Sequence, residues 1–289
     1  MSFLRRRWEK NWPEIRSAFR GELPEFVLAA RPAPLGDCVP VFWYHTVEPE
    51  RFEADLRFLA ENGYTTLQAD ALEDHLLGHR AAPDRSVVLS FDDGPFNLYA
   101  VAFPLLRTHG QRGVAFVAPR FHDQGEQPEP DAERPCSWDE IREMHRSGVL
   151  DFQSHTLEHR YVPRWPEPLP LTGIAARYQR RGEAPLSVEE DFRQAKTALE
   201  SRLEKPVRHL AFPGFEGSPA AIRAGQASGY QCFWWGLRPG RRGNQAGNDT
   251  TEIVRLSGEF LRRLPGRGRS SLASLLGRRY GAVVRQWLR

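Results

Sequence analysis

The sequence predicts an α/β protein built on parallel strands, and two observations carry that reading. Ser86-Val-Val-Leu-Ser-Phe91 and Gly113-Val-Ala-Phe-Val-Ala118 are apolar throughout, as strands covered on both faces must be, whereas a half-wet strand would alternate. A helical stretch to about Thr108 lies between them. The same strand, helix, strand unit recurs through Trp138–Arg146 and Leu150–Gln153. Such crossovers close into a barrel or spread as an open sheet.

Taken in order, the chain begins with a short helix and an irregular lead-in broken by Pro13, Pro24, Pro32 and Pro34. Val39 to Tyr44 is a buried strand that ends at His45. Phe52, Leu56, Leu59 and Ala60 then recur at helical spacing until Asn62-Gly63 stops them. A strand over 64–67 and a helix over 69–77 precede the first apolar run, which Asp92-Asp93-Gly94-Pro95 closes abruptly. Residues 160–187 hold five Pro together with Tyr161, Trp165 and Tyr178, the composition of an inserted loop or lid. Ser187-Val-Glu-Glu190 is a capping-box signature, opening a helix to about Leu203. Strands over 209–212 and 231–235 follow. From Ser270 onward Leu272, Leu275, Leu276, Tyr280, Val283, Val284, Trp287 and Leu288 fall at intervals of three and four, an amphipathic helix.

Composition narrows the class. A chain of 289 residues, 40% hydrophobic and 27% charged, supports a substantial core and sits near the upper limit for one domain. Cys38, Cys136 and Cys232 are odd in number and widely spaced, which argues for reduced structural thiols over a disulfide framework or a structural zinc site. Net charge is only +3, yet the nine Arg between Arg255 and Arg289 face a single Glu259, so that tail carries +8 and the remainder −5. This asymmetry points to an anionic partner for the tail, such as a phospholipid surface, and away from a nucleic-acid-binding domain. Glu9, Lys10, Glu14 and Arg16 interrupt any apolar run behind the basic N-terminus, so no signal peptide is expected. A cytoplasmic protein, peripheral at the inner face of a membrane if residues 270–289 bind there, is the expectation.

Asp92 and Asp93 stand where a buried strand ends, the place at which parallel α/β folds expose reactive groups. Of two adjacent carboxylates there, one can bind a metal while the other takes a proton from water. His155 and His159 are four apart, so within a helical turn they would share one face. With nine His in the chain, roughly 0.3 such pairs arise by chance, and His75 with His79 is a second one. Position separates them: the strand over 150–153 delivers His155 to the sheet edge that carries Asp93, whereas His75 and His79 lie late in a helix and read as surface or packing residues. Two imidazoles and a carboxylate leave coordination positions open, as in catalytic divalent sites.

Ser90-Phe-Asp-Asp-Gly94 resembles the first motif of the polysaccharide deacetylases, the NodB-like carbohydrate esterases, and Ser154-His-Thr-Leu-Glu-His159 resembles their second. Val39-Pro-Val-Phe-Trp-Tyr-His-Thr-Val47, residues 52–64, Ser137-Trp-Asp-Glu-Ile141 and Leu210-Ala-Phe-Pro-Gly214 are similar to the permuted subgroup, whose segment bearing the catalytic acid lies near the N-terminus. The resemblance implies a distorted (β/α) barrel of about seven parallel strands. It divides the chain into a lead-in (1–37), a catalytic domain (38–258, with the insertion at 160–187) and a basic amphipathic extension (259–289). It further implies Asp92 as general base, Asp93, His155 and His159 as metal ligands and His45 as general acid; the last role rests on the resemblance alone. The family's third motif commonly supplies an Arg that orients the catalytic Asp, and Ala211 stands at that place here.

The expected activity is therefore removal of N-acetyl groups from the amino sugars of a glycan by a divalent metal, Zn²⁺ first and Co²⁺, Ni²⁺ or Mn²⁺ as alternatives. A backbone N–H near Phe96 or Asn97 is expected to help hold the oxyanion. Trp43, Phe96, Trp138, Phe215, Trp234 and Trp235 offer faces for sugar stacking, and Tyr44, Phe96, Phe212, Pro213 and Trp234 are the expected substrate contacts. Two alternatives stay open: a deacylase of a lipid-linked sugar at the inner membrane face, and a silent glycan-binding protein with the same fold.

Overall fold

The computed structural model describes residues 23–123, 134–164 and 186–277. The first 22 residues, most of the 160–187 insertion (165–185) and the end of the amphipathic extension (278–289) lie outside the described residues.

The strands are β1 (Val41–Tyr44), β2 (Thr65–Thr66), β3 (Ser86–Asp92), β4 (Gly113–Val117), β5 (Leu150–Ser154), β6 (His209–Ala211), β7 (Cys232–Trp235), β8 (Ile253–Val254) and β9 (Leu256–Ser257). All pair in parallel, in the order β8-β7-β6-β5-β4-β3-β1-β9, with β2 on β3. Only Arg255 separates β8 from β9. Because β8 pairs with β7 and β9 with β1, one kinked segment joins both edges of the sheet and closes it into a distorted barrel of seven staves. Closure removes the exposed edges that an open parallel sheet would leave.

Apolar residues fill two layers. Phe42, Val87, Leu89, Phe91, Phe152 and Phe233 face outward beneath the surrounding helices, while Val41, Val88, Val114, Phe116, Ala211, Trp234 and Ile253 plug the interior. Every residue of β3 is buried, which explains its unbroken hydrophobic run. Alternation along β3 sends Val88, Ser90 and Asp92 inward, so the carboxylate emerges above the plug at the C-terminal end of the barrel.

Local sequence accounts for the helices. The helix Pro49–Glu61 begins at Glu48, whose side chain accepts from the Glu50 and Arg51 N–H groups, and stops at Asn62 before Gly63 at φ 67°. Ser187 caps the helix Val188–Leu203 by accepting the Glu190 N–H, and a reciprocal capping box at Ser137 and Glu140 opens the helix Trp138–Arg146. Pro104 withholds the N–H that a regular helix would offer the carbonyl of Ala100, and the turn over Leu98–Ala102 widens to a π-helix. All three cysteines are free.

Candidate metal centre and active site

The C-terminal ends of three strands converge on Asp93. The backbone turns sharply after β3, with Asp93 at φ 70° and Gly94 at φ 63°. A Cβ at Gly94 would lie 2.8 Å from Val117 and 2.9 Å from His122, so only glycine fits this turn. His155 Nε2 approaches Asp93 Oδ1 to 3.6 Å, His159 Nε2 approaches it to 3.2 Å, and His45 Nε2 lies 3.9 Å from Oδ2.

The two histidines do not share a helix, contrary to the spacing argument. Residues 155–159 form a loop that passes through left-handed backbone at Thr156 (φ 67°) and His159 (φ 56°), and this folding-back, not a 3.6-residue period, brings the imidazole centroids to 4.7 Å. Left-handed conformations at non-glycine residues cost roughly 1–3 kcal/mol each and concentrate at functional sites. The helix Val188–Leu203 braces the loop, since Asp191 Oδ1 accepts the Leu157 N–H at 2.8 Å.

The donor set suits a divalent cation. Asp93 Oδ1 is buried without a hydrogen-bond partner. His155 Nδ1 lies 2.8 Å from the Ala211 carbonyl, so this nitrogen carries the proton and Nε2 presents its lone pair towards Asp93. Burial pushes the His155 imidazole down to about 4, with Asp92 opposing, so it is neutral at physiological pH, as a ligand must be. Burial pushes the Asp93 carboxyl up, but His159, followed by His45 and His155, outweighs it and holds the group ionised.

Asp92 has a partner that sequence reasoning missed. Arg255 Nη1 donates to Asp92 Oδ1 at 2.7 Å, with both side chains at most 1% exposed. The guanidinium also donates from Nε to the Trp235 carbonyl at 3.2 Å, and lies over the rings of Phe116 and Phe215. Burial would raise the Asp92 carboxyl, yet Arg255, with His155 and His45, lowers it below the ordinary range. Ala211 stands where the resembling family carries an orienting Arg, and Arg255 reaches the same kind of carboxylate from the closing strand.

The expected substrate contacts fare differently. Phe212 is fully buried in the outer layer, stacked on Phe233. Trp234 is fully buried inside the barrel against Phe116 and His209. Neither has an open ring face, because both belong to strands or strand ends whose two sides are covered. Tyr44 points outward onto Phe52 and Phe91, on the opposite side of β1 from Trp43. Pro213 is buried, and Trp235 packs in the outer layer. Phe96 is half-buried with the Arg134 guanidinium over its ring, and its N–H is already given to the Arg134 carbonyl, so it is not free for an oxyanion. Trp138 packs on His122 beneath Arg202. Trp43 and Phe215, both half-buried and packed on each other at 4.6 Å, lie beside His45 at centroid distances of 5.3 and 6.1 Å.

Two decoys resolve. His75 is buried, with Nε2 against the Asp37 carbonyl and Nδ1 accepting from the Ala82 N–H, while His79 is exposed beside Asp74. Glu73, His209 and Cys232 also gather closely enough to hold an ion, at the opposite end of the barrel. There, however, Trp234 Nε1 donates to His209 Nδ1 at 3.2 Å, which leaves the proton on Nε2, pointing at Asp70, and Arg208 already neutralises Asp70 and Glu73. Glu73 Oε2 has no hydrogen-bond partner there, but the Arg208 guanidinium 3.1 Å away already balances its charge.

The polysaccharide deacetylase family profile matches residues 79–233. A poly-beta-1,6-N-acetyl-D-glucosamine N-deacetylase of Escherichia coli (strain K12) is 25% identical over 241 residues, 73% of this chain and 35% of that protein. A Bacillus subtilis (strain 168) relative named for the same family is 21% identical over 71% of this chain and 66% of its own length. The chain thus spans less than two thirds of either relative. Among solved structures, IcaB from Ammonifex degensii superposes with a TM-score of 0.61 at 26% identity, covering 77% of this chain and 92% of that one. A de-N-acetylase from Aggregatibacter actinomycetemcomitans, at 20% identity and a TM-score of 0.61, has the same fold over 84% of this chain.

Proposed function

The chain belongs to the polysaccharide deacetylase family, and from that premise we propose that it is a metal-dependent hydrolase removing N-acetyl groups from the amino sugars of a glycan. The observation that carries this reading is the convergence of Asp93, His155 and His159 beside the Arg255-bound Asp92, with His45 across the site.

An amide carbonyl is a poor electrophile and neutral water a poor nucleophile. A divalent cation held by Asp93, His155 and His159 would supply Lewis-acid polarisation and acidify water. Asp92, kept ionised and fixed in orientation by Arg255, accepts the proton of the attacking water. His45, packed edge-on beside Trp43 and Phe215, gives a proton to the departing sugar nitrogen, and acetate and a free amine result. The half-buried Trp43, beside His45, is the aromatic ring best placed to meet a sugar ring. The Escherichia coli relative is named for a β-1,6-linked N-acetylglucosamine polymer, and that class of substrate is the first to test.

The test uses metal-stripped protein given back Zn²⁺ and an N-acetylglucosamine oligomer. Acetate release is expected, and Asp92→Asn should lower it at least about 100-fold, the scale of a positioned general base. An undiminished rate in Asp92→Asn would overturn the mechanism.

A further inference from the structure

His45 stands on the connection between β1 and the helix Pro49–Glu61, while Asp92 and Asp93 stand on the connection that follows β3. Strand pairing sets their relative position only up to Tyr44, which is in register with Phe91. Beyond that pair the two connections leave the ladder. Asn97 rejoins them: its Oδ1 accepts the Val47 N–H at 2.7 Å and its Nδ2 donates to the Val47 carbonyl at 3.1 Å. One side-chain amide thus takes both polar groups of one residue, as a neighbouring strand would. Val47 is two residues after His45 and 7% exposed, anchored in the outer core. Asn97's own loop is tied down on its other side, where Cys136 N–H donates to the Gly94 carbonyl at 2.9 Å and Phe96 N–H to that of Arg134 at 2.6 Å.

We infer that Asn97 is a positioning residue that fixes the loop bearing His45 against the loop bearing Asp92 and Asp93. This inference rests on the deacetylase reading for its kinetic consequence but not for its structural one. Neither of the Asn97 bonds to Val47 involves His155 or His159, so losing them loosens the acid's placement and leaves the metal ligands together. Burial of Val47 fixes its side chain and not its backbone amide, which is why a two-pronged polar bond is needed there. Aspartate at 97 would keep the acceptor for the Val47 N–H and lose the donor, giving an intermediate clamp.

The experiment compares full-length wild type, Asn97→Ala and Asn97→Asp in three readouts: kcat and KM for acetate release, the Zn²⁺ dissociation constant, and the shift of the His45 imidazole ¹⁵N signal on Zn²⁺ addition. Asn97→Ala is expected to lower kcat about tenfold with KM and zinc affinity within twofold, to diminish the His45 shift, and to speed amide exchange at Val47; Asn97→Asp should fall between. Unchanged kcat and an unchanged His45 shift in Asn97→Ala would overturn the inference. So would a parallel fall in kcat, zinc affinity and thermal midpoint, which would mark a merely structural role. Should wild type release no acetate, the deacetylase reading fails, while the His45 shift and Val47 exchange still decide the clamp.

Discussion

At the scale of single residues, the site pairs buried charges, Asp92 with Arg255 above all. Removing one member leaves another unpaired, which typically costs about 3–5 kcal/mol. Arg255→Ala is therefore expected to destabilise the protein on that scale, measured by urea unfolding, because Asp92 is left buried without its cation. Arg255→Lys retains the charge but not both bonds, to Asp92 and to the Trp235 carbonyl; acetate release about tenfold below wild type, with the fold intact, is the expected outcome. Of the proposed ligands, Asp93 and His155 stood out in the sequence because each follows the end of a strand, whereas His159 stood out only by its spacing from His155. Arg255 was not. It lies 163 residues beyond Asp92, and its neighbours made it read as one of the nine Arg of a basic tail. Arg262, bound to Asp55, and the buried Arg263, bound to the Val27 carbonyl, are likewise structural.

At the scale of elements, β3, β4 and the helix Trp138–Arg146 follow from periodicity to within a residue or so, since burial on both faces leaves a strong signature. The loop over 155–159 does not. Its i, i+4 histidines suggested a helix, but Thr156 and His159 take left-handed backbone that composition does not encode. The closing strand was also missed, because β8 and β9 are two residues each and no hydrophobic pattern that short is distinctive. Its geometry depends on Gly258, immediately after β9, where any Cβ would collide with the Tyr44 ring. Gly258→Ala is expected to cost about 1–3 kcal/mol in thermal or urea unfolding, and to weaken catalysis by shifting Arg255. Stability at or above the wild-type value would show that the closing segment adapts more freely than its packing suggests.

At the scale of the whole molecule, the barrel places titrating groups where water does not reach, and this sets how stability responds to pH. Burial pushes His155 and His122 down to about 4, whereas their unfolded values lie near 6.5. A depressed imidazole contributes stability that is present above the unfolded value and lost as pH falls through the folded one. Burial pushes Asp191 up to about 7, and a raised carboxyl acts in the opposite sense: its contribution is complete below the unfolded value near 3.9 and lost as pH rises through about 7. Two groups against one leave the metal-free protein less stable at pH 4.5 than at pH 6.5, and Asp191→Asn should steepen that fall; thermal midpoints across the range check both. Barrel closure itself could not be read from composition, which left an open sheet as a rival until the 253–257 segment joined both edges. The central claim is that Asp93, His155 and His159 hold one catalytic cation. Its most direct test is to titrate metal-stripped protein with Zn²⁺ while following bound metal and acetate release together. The account expects both to rise in step to one equivalent in wild type and in Cys232→Ala, and neither to do so in His159→Ala. Activity independent of added metal, or full zinc binding and acetate release in His159→Ala, would contradict it.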